Sequence, residues 1–394
     1  MSILRIQFDV SAPENREAPV AVEVFDQLMQ RVWSGSLSLS ERHELDVPAG
    51  HYTVRAYMPS GEIVVAQAEV QSGTIAPQDV VLFPESVSPR ESLAWAYVLK
   101  GAARADPEVR VLGEIDGVIA PWVCLWERTL NGDWIPRPLS PGVLDQTIRQ
   151  QDARALGALR LRLSDGQHWL QVGAANAPTK FIALPPSDVH ETRVLLLQEE
   201  RPDRDNDMLN VLVDSGDSEA EAMLGYLSIG AFDAARRAER LLQRKRDNPV
   251  GAAIGGYYLL RAGDTRRLDW TSNLANWFPW LPDGAVIHAW LLLRQHEPDQ
   301  DVARERLLEA ARRGIPIYTQ GLRLLYDGLS VYYSRGMDTD SEVREALGRV
   351  GSYAAAADWE AQTTTFYAHH PTEPDPSPTF DAPDPNLPVV RLDG

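Results

Sequence analysis

The sequence predicts a multi-domain fold: two small antiparallel β-sandwiches followed by an all-α, repeat-like helical domain. Three observations carry this. Apolar residues recur with period 2 through roughly the first 200 positions, the period changes to 3.6 after Ser218, and Gly, Pro and Ser turns cut the first half into short segments. With 394 residues, 44% of them hydrophobic, the chain is long enough for several packed cores. The expected domains are 1–84, 90–200 and 218–360, with a disordered Pro/Asp-rich tail over 369–394.

In the first domain Leu4, Ile6 and Phe8 alternate with Ile3, Arg5 and Gln7, and Val20 to Phe25 repeats the pattern. Leu37, Leu39, Leu45 and Val47 lead into the turn Pro48-Ala49-Gly50, and strands follow at 51–57, 63–70 and 80–83. In the second domain, residues 92–100, 109–115, 122–128 and 159–163 have strand character, with Asn131-Gly132 as a hairpin turn and one short helix expected over 141–158. The run from Gly166 through His168, Trp169 and Leu170, with its following strands, is patterned like the run from Gly50 in the first domain.

Residues 199–217 are rich in Asp, Arg and Pro and read as a solvated linker. The alternating carboxylates Asp203, Asp205 and Asp207 suggest calcium, but an EF-hand loop needs Gly and Glu where Met208 and Asp214 stand.

The helical domain centres on Leu268 to Arg294, which holds four of the eleven tryptophans: Trp270, Trp277, Trp280 and Trp290. Trp270, Leu274, Trp277 and Leu281 share one helical face until Pro279 and Pro282 interrupt it. Asp283 is placed to cap a second helix, whose apolar residues Val286, Ile287, Trp290, Leu291 and Leu293 fit a helix buried between others.

A net charge of −18 argues against nucleic acid or anionic membrane as a partner. The basic run Arg236, Arg237, Arg240, Arg244, Lys245 and Arg246 reads as a solvated helix face. A lone cysteine, Cys124, excludes an internal disulfide or multi-thiolate metal site, and a reducing, cytoplasmic setting is expected. The start reads as a strand and not as a signal peptide, and no apolar run is long enough to span a membrane.

No zincin, phosphate-loop or dinucleotide motif occurs, so no cofactor or metal is expected. Cys124, set between apolar neighbours, reads as inert. An enzyme would have to draw on His288, Asp269 and Asp283; carbohydrate binding would need an exposed row among Trp122, Trp126, Trp134 and Trp169. The expected function is a non-enzymatic interaction protein, its partner contacts drawn from Trp270, Trp277, Trp280, Tyr226 and the tail residues Leu387 and Val389, the last two able to extend a partner's sheet edge.

Three resemblances accompany these readings. Residues 45–61, LDVPAGHYTVRAYMPSG, resemble transthyretin-like or carboxypeptidase-regulatory-like sandwiches, where such a turn delivers a strand with Tyr and Val inward. Tyr226, Gly230, Phe232 and Ala235 resemble the tetratricopeptide helix-turn-helix, and Ala303, Leu307, Ala310 and Pro316 fit it two repeat lengths of about 34 residues further on. The unit between departs from the pattern, with Asp269 where a small Ala belongs. The Trp-rich stretch and residues 314–325 resemble helical segments that accompany caspase-like peptidases in bacterial defence or signalling proteins. That likeness implies a protease or other effector as partner.

Overall fold

The computed structural model describes residues 2–9, 19–40, 42–58, 63–71, 76–84, 103–104, 122–139, 144–145, 155–174, 177–187, 189, 191–199, 208–229, 235–334, 340–377 and 384–391. The expected strands at 92–100 and 109–115, the acidic run 203–207 and the repeat positions Gly230 and Phe232 lie outside them. The β half is followed by a helical part, as the change of period implies. Two compact units emerge: residues 1–99 with 217–237, and residues 100–216 with 238–394.

In the first unit, β1 (Ser2–Phe8), β4 (His43–Val47) and β7 (Gln78–Leu82) form one sheet in the order β4-β1-β7. β2 (Pro19–Phe25), β3 (Arg31–Ser38), β5 (Gly50–Tyr57) and β6 (Ile63–Val70) form the other, ordered β3-β2-β5-β6. Alternate residues of both sheets (Leu4, Ile6, Val22, Val54, Val80, Leu82) fill a common core. The turn after Val47 hands the chain from one sheet to the other. Tyr52 then turns inward and its hydroxyl donates to the Pro48 carbonyl at 2.9 Å, closing the turn on itself. One pairing departs from the all-antiparallel expectation: β1 and β7 run parallel. The long chain between them makes this feasible, since no tight hairpin has to join them. Helix α1 (Ser218–Ile229) also belongs to this unit, with Asp217 accepting from the Glu219 and Ala220 N–H groups at its start.

The second unit is built around a sheet buried on both faces. β9 (Trp122–Arg128), β10 (Trp134–Arg137), β13 (His168–Ala174) and β14 (Ala177–Leu184) are joined by β17 (Thr365–His370), β18 (Glu373–Pro374) and β19 (Val390–Arg391). One face presents Val123, Leu170, Val172, Ile182 and Leu184 to a second sheet of β8 (Ala103–Arg104), β11 (Leu144–Asp145), β12 (Ala155–Leu161), β15 (Thr192–Glu199) and β16 (Met208–Asp214). The opposite face carries Trp126, Trp169, Phe181 and Phe366. Trp126 pairs with Trp169 and Phe181 with Phe366 across the ladders, and the two Phe rings stack at 5.5 Å. Tyr353 of the last helix meets Phe366 edge to face at 4.9 Å, so helices cover this second face.

The helices of this unit are α2 (Ala235–Gln243) from Ala238 onward, α3 (Pro249–Arg261), α4 (Leu268–Trp277), α5 (Pro282–Leu293), α6 (Gln300–Arg313), α7 (Thr319–Ser334) and α8 (Ser341–Ala356). α5 is buried nearly all round, as its sequence predicts, and α3, α4, α6 and α7 pack about it. Close approach depends on missing side chains: a Cβ on Gly255 of α3 would stand 2.5 Å from the Ala238 carbonyl of α2. Arg128 ties sheet to helices, donating from one Nη1 to Gln167 Oε1 at 2.9 Å and to the Arg313 carbonyl, while Gln167 Nε2 donates to the Ile315 carbonyl. Lys180 of β14 adds a buried ion pair to Asp358 at 3.3 Å.

Several expectations give way. The helix foreseen over 141–158 is replaced, where described, by β11 and the start of β12. The linker foreseen over 199–217 contains β16, whose Leu209, Val211 and Val213 alternate with polar Asn210 and pair along β15. Within the expected tail, His370 pairs with Glu373 of β18, and β19 adds to the edge of β9 at Trp122 and Val123; just before the tail, β17 adds to β14. Strand alternation in Thr365-Phe366-Tyr367-Ala368 was hidden by the Pro-rich composition that follows it. Asp283 is not a helix cap. Leu281 holds that position, and Asp283 sits in the first turn with its carboxylate fully buried.

That carboxylate accepts from Tyr257 Oη at 2.8 Å, from the Ile317 N–H at 2.8 Å and from the Tyr318 N–H at 3.3 Å, joining α3, α5 and the loop before α7. Burial nevertheless pushes it up to about 6. The His168 and His288 imidazoles are pushed down to about 4 by burial. Thr271 Oγ1 gives its proton to the Leu268 carbonyl, so His288 Nδ1, at 3.3 Å, must be the donor to that oxygen.

A Cβ at Gly321 would collide with the Tyr257 hydroxyl and approach Asp283 Oδ1 to 2.9 Å, so Gly321→Ala should cost about 2–3 kcal/mol in denaturant unfolding. A variant as stable as the parent would mean this junction yields freely. Each histidine supports the fold fully above its unfolded value near 6.5 and loses that support as pH falls toward 4; Asp283 opposes them, its support fading as pH rises through about 6. With two shifts against one, the urea midpoint should fall as pH drops from about 6.5 to about 4.5, by up to about 3 kcal/mol of stability. A flat or rising midpoint would contradict the burial of these imidazoles.

Candidate functional site

Of the residues singled out in the sequence, Trp270 and Trp277 are brought together. They lie two turns apart on α4, with Leu274 between them fully buried and both indoles at the rim of the helix face. Trp277 is 44% exposed and ends the helix, because Phe278 precedes Pro279 and takes a non-helical backbone. Trp270 is half-buried.

Between the two rings stands Lys245, from the turn after α2. Its Nζ lies 5.7 Å from the Trp270 ring centre and 5.4 Å from that of Trp277, and donates to the Leu242 carbonyl at 3.3 Å. The side chain is buried, and that burial lowers its pKa from the ordinary lysine value, with Arg246 adding to the effect. Two guanidinium groups flank the pair. Arg246 lies 4.8 Å over Trp277, and Arg267 lies 4.7 Å over Trp270 while bound to Glu239 at 2.9 Å. The result is a rim of alternating cations and indoles, each ring held by a charged group on its face. The basic run was visible in the sequence as a solvated face; its partnership with α4 was not. The available signal was the seven-residue Trp spacing, which puts both rings on one side of a helix.

The other candidates fall elsewhere. Trp280 is half-buried, edge-on to Phe278 at 6.5 Å, and its indole N–H has no hydrogen-bond partner among the described residues. Tyr226 belongs to α1 in the other unit. Leu387 and Val389 lead into β19, whose Val390 and Arg391 pair with Val123 and Trp122 on the edge of the chain's own sheet.

The chemical candidates differ in burial. Cys124 is buried on the aromatic face of β9 and its thiol is pushed up to about 12 by burial, leaving it protonated at neutral pH. Asp283 and His288 are engaged as described, and Asp269 is exposed on α4. Trp122, Trp126 and Trp169 are buried and Trp134 is half-buried against Trp169 at 5.7 Å, so no exposed row of rings forms there. Among the described residues, no group of three metal-binding side chains assembles, and no helix is long and apolar enough to cross a membrane.

No curated protein matches this chain. One solved structure, pT26-6p, aligns over 83% of this chain and 87% of its own at 8% identity, but its TM-score of 0.10 carries no argument. A family model, the Y4kD C-terminal domain, matches residues 222–382. The matched stretch takes in the Trp270–Trp277 rim and runs past the helices through β17 and β18.

Proposed function

We propose that this protein is a non-enzymatic adaptor that holds a protein partner on the helical surface around Trp270 and Trp277. The supporting observation is the exposed Trp277 ring, fixed in place by Lys245 and Arg246. Interface energy concentrates in a few well-held aromatic and arginine side chains, and a ring already immobilised loses little freedom when a partner covers it. In this reading the setting is cytoplasmic, and the partner is a protease or other effector of a bacterial defence or signalling system, as the resemblance of the Trp-rich stretch and residues 314–325 implies. Trp280 is a secondary contact within it, and Tyr226, on the first unit, is a separate one.

The test is affinity purification of the full chain from its native cells, with Trp277→Ala alongside. The expected result is a stoichiometric partner whose affinity for the variant falls about 30-fold, the effect of losing about 2 kcal/mol at an interface centre. Because Trp277 projects from a helix end, thermal unfolding of the variant should stay close to that of the parent. A partner retained equally by both forms would remove this surface from the proposal.

A further inference from the structure

We infer that the segment docking on the Trp270–Trp277 rim is acidic: a short peptide stretch with two or three Asp or Glu side chains beside an apolar one. This rests on the adaptor reading above and names the chemistry of its partner. The chain carries a net charge of −18, yet Lys245, Arg246 and Arg267 all stand on the two indole rings. A local positive field inside a negative protein selects for a partner that is itself locally negative. Arg246 is exposed, and a guanidinium held over an indole keeps the N–H groups at its edge directed outward, where they fit a carboxylate. The exposed Trp277 ring beside it supplies the apolar part of the contact.

The same geometry disfavours nucleic acid. The basic run from Arg240 to Arg246 is only seven residues long, about 10 Å if helical throughout, and is bounded in the chain by Glu239 and Asp247. That length spans a few carboxylates but not the continuous phosphate track from which nucleic-acid affinity comes.

The experiment titrates the full chain against three fluorescein-labelled probes: a dodecapeptide alternating Glu with Leu, its Gln counterpart, and a twelve-nucleotide oligothymidylate. Fluorescence anisotropy is read at about 50 and about 300 mM salt, which shortens the screening length more than twofold. Arg246→Glu is compared with Arg312→Glu, an equal charge change on the exposed surface of α6. The expected result is binding of the Glu peptide alone, weakened about tenfold by Arg246→Glu and by salt, and changed less than twofold by Arg312→Glu. Equal loss in both variants, equal binding of the Gln peptide, or no binding of the Glu peptide would overturn the inference, and preferential binding of the oligonucleotide would replace it. A natural partner that depends on Trp277 but not on Arg246 or salt would also overturn it, while leaving the adaptor reading intact.

Discussion

Burial of one sheet on both of its faces is the constraint on which the second unit depends. β9, β13 and β14 present aliphatic side chains to one neighbour and Trp or Phe rings to the other, so neither face can stand in water. A sandwich of strands up to residue 216 would cover only the aliphatic face. The helices cover the aromatic one, with Tyr353 seated on Phe366. This is why the stretch expected as an independent second sandwich and the stretch expected as a separate helical domain belong to one compact body.

The polar links across this body follow from the same burial. A carbonyl at a helix C-terminus loses its solvent partners when it is packed against a sheet, and one such carbonyl, that of Arg313, is met by the Arg128 guanidinium. Gly314, whose φ of 132° suits a residue without a side chain, leaves the space that Gln167 and Arg128 occupy. Asp283 plays the corresponding part inside the helices, where one carboxylate satisfies two backbone N–H groups of the loop before α7 and the hydroxyl of Tyr257.

Much of this was legible in the sequence, and the failures share a cause. Alternation located β1, β2, β5, β6 and β9, the Asn131-Gly132 turn closed the β9–β10 hairpin, and the all-round apolar pattern of Val286 to Leu292 marked a buried helix. Local pattern failed where long-range pairing decided the outcome. Thr365–His370 is a strand because β14 offers an edge, and its composition is overshadowed by the prolines that follow. Met208–Asp214 was masked by the acidic run before it. The cation–indole rim was half-visible: the sequence contained both the basic run and the spaced tryptophans, but nothing in either announced that a turn would place Lys245 between the rings.

The position of β17 in the chain also bears on how the protein is made. Its partner β14 ends at Leu184, and all of α2 to α8 lie between them. As the chain leaves the ribosome, β14 therefore waits with an unpaired edge and an uncovered Phe181 while well over a hundred further residues are synthesised. A stalled or truncated product ending within the helices would keep that edge open, a template for pairing with other chains that the finished protein no longer displays.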